Sequence, residues 1–170
     1  NATGDTSTVF NIEAAGTITG SESDVSDLNS AEEANQINIT GQNLVIDTGT
    51  LSVENAIIFD ALTDGTITAD IATDSTLASL ATLTGTNELT IVINSADAIT
   101  DALSLIAIEN TTSIDIDASE VTEITGESSV ITSLYNSPNF AGLGDESIVI
   151  SNDLDVEEAN NIDLLTTGVV

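Results

Sequence analysis

Any chemistry in this chain must be done with oxygen. Asp and Glu together number 29, whereas Lys, Arg, His, Cys and Met are all missing. Hard cations take oxygen ligands, so calcium is the ion this inventory suits. Acidic clusters with ligand-like spacing are Asp60 with Asp64, Asp115 with Asp117 and Glu120, and the run Asn152, Asp153, Asp155 and Glu157. The candidate calcium ligands are Asp115, Asp117, Asn152, Asp153, Asp155 and Glu157. None of these runs is an EF-hand loop, because Glu120 stands where the sharp turn needs Gly. The Gly-rich nonapeptide calcium repeat is missing as well. Calcium is therefore an optional ligand, and no cofactor is required. Asp115 and Asp117 would share one face of a strand about 7 Å apart, and paired-acid hydrolysis uses two such carboxylates. Two acids on an outward face are ordinarily just solvated, and the chain is read as a non-enzyme.

The missing residues exclude more than the present ones allow. Without His or Cys there is no Ser-His-Asp triad and no thiolate nucleophile. Without Lys there is no Schiff base and no Walker-type phosphate loop. Zinc, copper and iron lose their usual nitrogen and sulfur ligands. A formal charge of −29 with no cation leaves no footprint for nucleic acid or anionic lipid. No apolar stretch approaches the length needed to span a bilayer, so neither nucleic acid nor membrane insertion is expected. The first residue is not Met, and no charged segment precedes an apolar run. The chain reads as an excised or processed piece of something longer.

Elements that could position these side chains emerge from the pattern of the remaining residues. Hydrophobic residues are 41% and aromatics 2% of the 170, which is too apolar for a disordered acidic tail and predicts a narrow aliphatic core. Short alternating runs recur at Leu44–Ile46, Thr66–Thr68, Thr90–Ile93, Ser113–Ile116 and Ser147–Ile150 and predict strands. Their inward residues would be Ile67, Ile91, Ile93, Ile114, Ile116, Ile148 and Ile150. Between them, helical spacing predicts apolar faces of Leu77, Leu80 and Ala81; of Ile99, Ala102, Leu103 and Ile106; and of Ile131, Leu134 and Tyr135. Asp155 with Glu158 has the spacing of a capping box. Gly65 and Gly168 stand where helices close on a left-handed residue.

A longer repeat of about 105 residues overlies these short ones. Leu51-Ser52-Val53-Glu54-Asn55-Ala56, with Leu62-Thr63 and Gly65, matches Leu154-Asp155-Val156-Glu157-Glu158-Ala159, with Leu165-Thr166 and Gly168. Ile18-Thr19-Gly20 matches Ile124-Thr125-Gly126. One strand–helix unit cannot bury its own apolar face, but stacked units can. The expected architecture is an α/β solenoid of coils of about 22–34 residues, with a parallel sheet on one side and short helices on the other. Residues 1–43 would form a first long coil or N-terminal cap. Repeat coils would follow at 44–65, 66–89, 90–112, 113–146 and 147–168, with a further coil starting at 169.

The run Asp117-Ala118-Ser119, Val121-Thr122 and Ile124-Thr125-Gly126, followed by Gly142-Leu143-Gly144-Asp145-Glu146 and Ser147-Ile148-Val149-Ile150-Ser151, resembles a known repeat texture. It is similar to the Thr/Ala/Asp-rich tandem repeats of very large extracellular and cell-surface proteins of marine cyanobacteria, with similar repeats in marine phage structural proteins. The resemblance covers most of residues 44–170 and implies structural work at a surface, with no catalytic residues.

The expected function is an extracellular structural module: a stalk, fibre or coat segment that associates with itself end to end or with other coils of a longer chain. The alternative is an adhesin or phage-fibre module that recognises glycans or a cell surface. Thr17/Thr19 and Thr66/Thr68 raise an ice-binding face, but the equivalent outward positions Thr90/Val92, Ser113/Asp115 and Ser147/Val149 break the rank at once.

Overall fold

The computed structural model describes residues 10–11 and 16–170; the remainder of the expected first unit, residues 1–9 and 12–15, lies outside them. One or two short strands precede each helix along the described chain. The first half runs β1 (Phe10–Asn11), β2 (Thr17–Ser21), α1 (Glu22–Glu33), β3 (Ile37–Asn38), β4 (Asn43–Thr48), α2 (Val53–Leu62), β5 (Ile67–Asp70), α3 (Leu77–Leu80) and β6 (Glu88–Thr90). After a 3-10 turn at Ser95–Asp97 come β7 (Ile99–Asp101), α4 (Ala102–Glu109), β8 (Ile116–Asp117), β9 (Glu123–Gly126), α5 (Ser128–Asn136), β10 (Phe140–Ala141), β11 (Ser147–Ile150) and α6 (Val156–Asp163).

The fold of the described residues is mixed α/β, with parallel sheets and no closed barrel among them. One sheet has the order β2-β4-β5-β6, a second has β7-β9-β11, and β1-β3 and β8-β10 form two-stranded pairs. Every described strand pairing is parallel. Parallel neighbours cannot be joined by a tight hairpin, so the chain leaves each strand and returns through a helix or an irregular segment.

Strand alternation places Leu44, Ile46, Ile67, Ala69, Leu89, Ile91, Ile93, Ile116, Ile124 and Ile148 in one aliphatic core. Helices meet it with narrow stripes three residues apart: Val53, Ala56, Phe59 and Leu62 on α2, and Ala102, Leu105 and Ile108 on α4. Each Leu or Ile so buried contributes about 1.5–3 kcal/mol, which lets short helices persist that would not form alone.

Several expectations need correction. Ile114 is 38% exposed, because the chain is still turning at Ser113–Ile114 and β8 begins only at Ile116. Ile150 is only partly buried. Ile99 lies on strand β7 and is 67% exposed, and Leu103 is 66% exposed. The run Ile99–Ile108 is apolar nearly all round, so periodicity alone could not choose the face. Asp101 decides it by accepting the Ser104 N–H (2.9 Å) and starting the helix at Ala102. The capping box at Asp155 and Glu158 forms with both of its bonds. Gly65 and Gly168 do not adopt the left-handed conformation. They are small because a carbonyl crosses them: an added Cβ would lie 2.2 Å from the Gln42 oxygen in one case and 2.2 Å from the Glu146 oxygen in the other.

The long repeat is visible in the register. Ile18 pairs with Leu44 and Gly20 with Ile46; in the second half Ile124 pairs with Ile148 and Gly126 with Ile150. The pair β1-β3 likewise has its counterpart in β8-β10.

Candidate functional site

The six candidate calcium ligands do not converge on one point in the sequence of elements, and several oxygens are already engaged. Asp115 is exposed in the turn before β8, and Asp117 Oδ1 accepts the Ser119 N–H (3.0 Å). Hydrogen bonds from Ser119 hold the Asp117 carboxyl below its ordinary range. Asn152 Oδ1 accepts the Ser128 N–H (2.8 Å) at the start of α5, where Glu127 provides no side-chain cap of its own. Asp155 Oδ1 accepts the Glu158 N–H (2.9 Å), and Glu158 Oε2 accepts the Asp155 N–H (3.0 Å). Asp153 and Glu157 are exposed. Among the described residues, no group of three or more acidic, His or Cys side chains is arranged to hold a metal ion.

What the structure brings together instead is carboxylates and donors from neighbouring units. With no ammonium or guanidinium in the chain, a carboxylate that leaves water must find N–H or O–H groups. Glu22 Oε1 accepts from Ser52 N–H (3.0 Å), Ser52 Oγ (2.6 Å) and Asn55 Nδ2 (2.7 Å) at the start of α2. Burial pushes the Glu22 carboxyl upward, but the bonds from Ser52 and Asn55 outweigh it and the net displacement is downward. Asp60 accepts from Thr84 Oγ1 (2.7 Å) and Asn87 Nδ2 (2.8 Å), while Asn87 Oδ1 takes the Ile67 N–H (2.9 Å). Asp97 Oδ2 accepts the Leu77 N–H (2.9 Å), and Glu109 Oε1 accepts Ser137 Oγ (2.6 Å). Charge-assisted bonds of this kind each contribute about 1.5–3 kcal/mol when sheltered from water.

A second device recurs with the long repeat. Thr63 Oγ1 donates to the Gln42 carbonyl (2.6 Å) and accepts the Gly65 N–H (3.0 Å). Thr166 Oγ1 donates to the Glu146 carbonyl (2.6 Å) and accepts the Gly168 N–H (3.0 Å). Each Thr-x-Gly latch fastens the end of one unit to the carbonyl just ahead of that unit's own strand, β4 or β11. Glu146 is the only buried carboxylate among the described residues.

Sequence reasoning missed the bridging acids, because their partners lie 20–33 positions away and no local pattern marks them. The latches were marked, by the matched Thr63–Gly65 and Thr166–Gly168. The outward face carries no repeated ligand row. Across the four-stranded sheet it reads Thr19, Val45, Thr68 and Glu88, which also breaks the Thr ladder that ice binding would need. No protein-family model matches the chain, and it has no match among curated proteins or solved structures. No helix among the described residues is long and apolar enough to cross a membrane.

Proposed function

We propose that the chain is a structural repeat module: a segment of an extracellular stalk, fibre or surface coat, built as an α/β solenoid whose successive strand–helix coils set length and stiffness. The observation that carries this reading is the recurrence of one parallel register, Ile18 with Leu44 and Ile124 with Ile148, each secured by its own Thr-x-Gly latch. A unit that repeats with its fastening is built for extension. Side-chain chemistry points the same way, because the sheltered carboxylates serve as acceptors between units, and the rest face water.

The surface follows from the charge. At −29, the molecule repels itself and its neighbours, and that repulsion falls as the Debye length shrinks to about 3 Å near 1 M salt. The absence of Lys and Arg also removes every trypsin-type cleavage site, an advantage for an exposed filament. Thermal unfolding is the test: the melting temperature should rise from very low to seawater-like ionic strength. Equal melting at the two extremes would contradict an anionic surface as the governing feature. Calcium and sodium chloride at matched ionic strength should act alike; a calcium-specific rise would assign an ordered ion to the acidic clusters. A glycan array probed with the intact chain should be blank, and a specific hit would favour the adhesin alternative.

A further inference from the structure

The two halves of the long repeat differ in what covers their second unit. In the first half the face made by β4 and α2 is closed by the segment that follows it. The Leu44 N–H donates to Thr66 O (2.9 Å), the Leu51 N–H to Asp70 O (2.8 Å), and the Ala72 N–H to Leu51 O (2.9 Å). Leu51 is fully buried there and Val53 is 8% exposed. In the second half the equivalent face is made by β11 and α6, and the approach to it starts identically. The Thr166–Gly168 latch forms, and the Ile148 N–H donates to Val169 O (2.7 Å), just as Leu44 does to Thr66. Val170 thereby arrives where Ile67 stands in the first half.

Beyond that point the second face is open. Val156, the counterpart of Val53, is 79% exposed, and Leu154, the counterpart of Leu51, is only partly covered. Ile148, Val149, Ile150, Leu154, Ala159 and Val170 line an open apolar groove. Apolar surface of this kind, flanked by a parallel strand edge left open beyond the Ile148–Val169 bond, is a template for a further strand.

We infer that the β11–α6 face is a docking surface for one kind of partner: a parallel strand followed by a short helix, carrying the pattern of residues 66–83. That segment offers Ile67, Ala69 and Ile71 on one side of its strand and Leu77 and Leu80 on its helix, all buried where it lies in the first half. The first half thus shows both the lock and the key. The long unit that begins at β2 is not this partner, because in both halves it lies ahead of the β4-type or β11-type strand and never after it. Simple end-to-end contact of two copies, which would bring β2 against β11, is therefore out of phase. The inference rests on the repeat-module reading and adds to it the kind of unit this face accepts.

The test extends the intact chain. A copy of residues 68–109 is joined directly after Val170, and a control carries residues 18–65 at the same place. Hydrogen exchange is read at Ser151 and Leu154. The in-phase extension should slow exchange of the Leu154 amide by at least about tenfold, the response expected when an exposed edge amide enters a ladder, and should raise the melting temperature. The control should leave both unchanged, and Val156→Asp should cancel the gain while scarcely affecting the unextended chain. No protection with residues 68–109, or equal protection with the control, would overturn the inference. So would head-to-tail dimers of the unextended chain that protect Leu154. Exchange at Ser151, whose N–H donates to Gly126 O (2.9 Å) across the β9–β11 pair, separates the two levels: if Ser151 is unprotected even in the unextended chain, the parallel register fails and the module reading falls with it. If Ser151 is protected and the extension does nothing, only the phase-specific partner is lost.

Discussion

Gln42 and Glu146 occupy the same place in the two halves of the long repeat, and the backbone treats them alike. Each carbonyl receives a Thr hydroxyl at 2.6 Å and lies against a glycine that has no room for a Cβ. Their side chains part company. Gln42 Oε1 reaches across to the Gly16 N–H (2.9 Å), binding the preceding unit. Glu146 Oε2 folds back onto the Gly144 and Asp145 N–H groups (2.8 and 3.1 Å), and its Oε1 is buried with no partner among the described residues. The recurring part of this architecture is therefore the backbone latch, while the side chain beside it is free to differ in charge. An acid can occupy the buried site without a cation when backbone amides are aimed at one oxygen, at the expense of the other.

The largest effect should come from filling the space the latch requires. Gly65→Ala would push a Cβ against the Gln42 carbonyl at 2.2 Å, and backbone cannot swing aside as a flexible side chain could. A loss of about 3 kcal/mol is expected, at the upper end of overpacking costs. Gly168→Ala meets the same 2.2 Å contact with the Glu146 carbonyl, but the neighbouring Val169 and Val170 are 77% and 44% exposed where Ile67 is fully buried, so the backbone can yield and the loss should be about 1 kcal/mol. Urea unfolding of both variants checks the ranking. Equal losses would mean that the two latches carry equal strain, and the comparison of the halves would lose its structural basis.

Exchanging the two side chains sharpens the comparison further. Glu146→Gln should stabilise the protein by about 1 kcal/mol at neutral pH, since it removes a buried charge with an unpartnered oxygen. Gln42→Glu should destabilise it by about 2 kcal/mol, because a charge is then placed at a buried site that evolved around an amide. Chemical denaturation at pH 7 measures both. A destabilising Glu146→Gln would show that the bonds from Gly144 and Asp145 outweigh the orphaned oxygen.

Legibility from sequence was uneven, and the reason is range. Alternation along Leu44–Ile46 and Ser147–Ile150, and the matched Thr-x-Gly triplets, are local signals, so the strands and the long repeat could be read directly. Strand β7 could not, because Ile99-Thr100-Asp101 runs without a break into an apolar helix and only the Asp101 cap separates them. The expected left-handed role of Gly65 and Gly168 was wrong for a related reason: what excludes a side chain there is a carbonyl more than 20 positions away. The acidic clusters of the sequence, taken as calcium ligands, supply helix caps at Asn152 and Asp155. Adjacent acids in a sequence say nothing of which backbone amide will arrive from the next unit.

The smallest expected effect separates the halves by pH. The junction between the first and second units is bridged forward by an acid, Glu22, whose carboxylate takes Ser52 and Asn55. In the second half the position of Glu22 is held by Ser128, and the bridge runs backward from a neutral amide, Asn152, to the Ser128 N–H (2.8 Å). Only the first bridge can titrate. The Glu22 carboxyl is held below its ordinary range in the folded protein, so its contribution is complete above the unfolded value of about 4.3 and is lost as pH falls through the lower folded value. In high salt, where self-repulsion is screened, Glu22→Gln should cost up to about 1 kcal/mol at pH 7. It should cost progressively less below about pH 4. Asn152→Ala should cost about 1 kcal/mol at every pH, as the loss of a neutral helix cap does. The diagnostic is the shape of the two curves, obtained from thermal melts between pH 3 and 7. Parallel curves would mean that Glu22 acts through shape and hydrogen bonding alone, and that the negative charge which dominates the composition contributes nothing specific at the one junction best placed to use it.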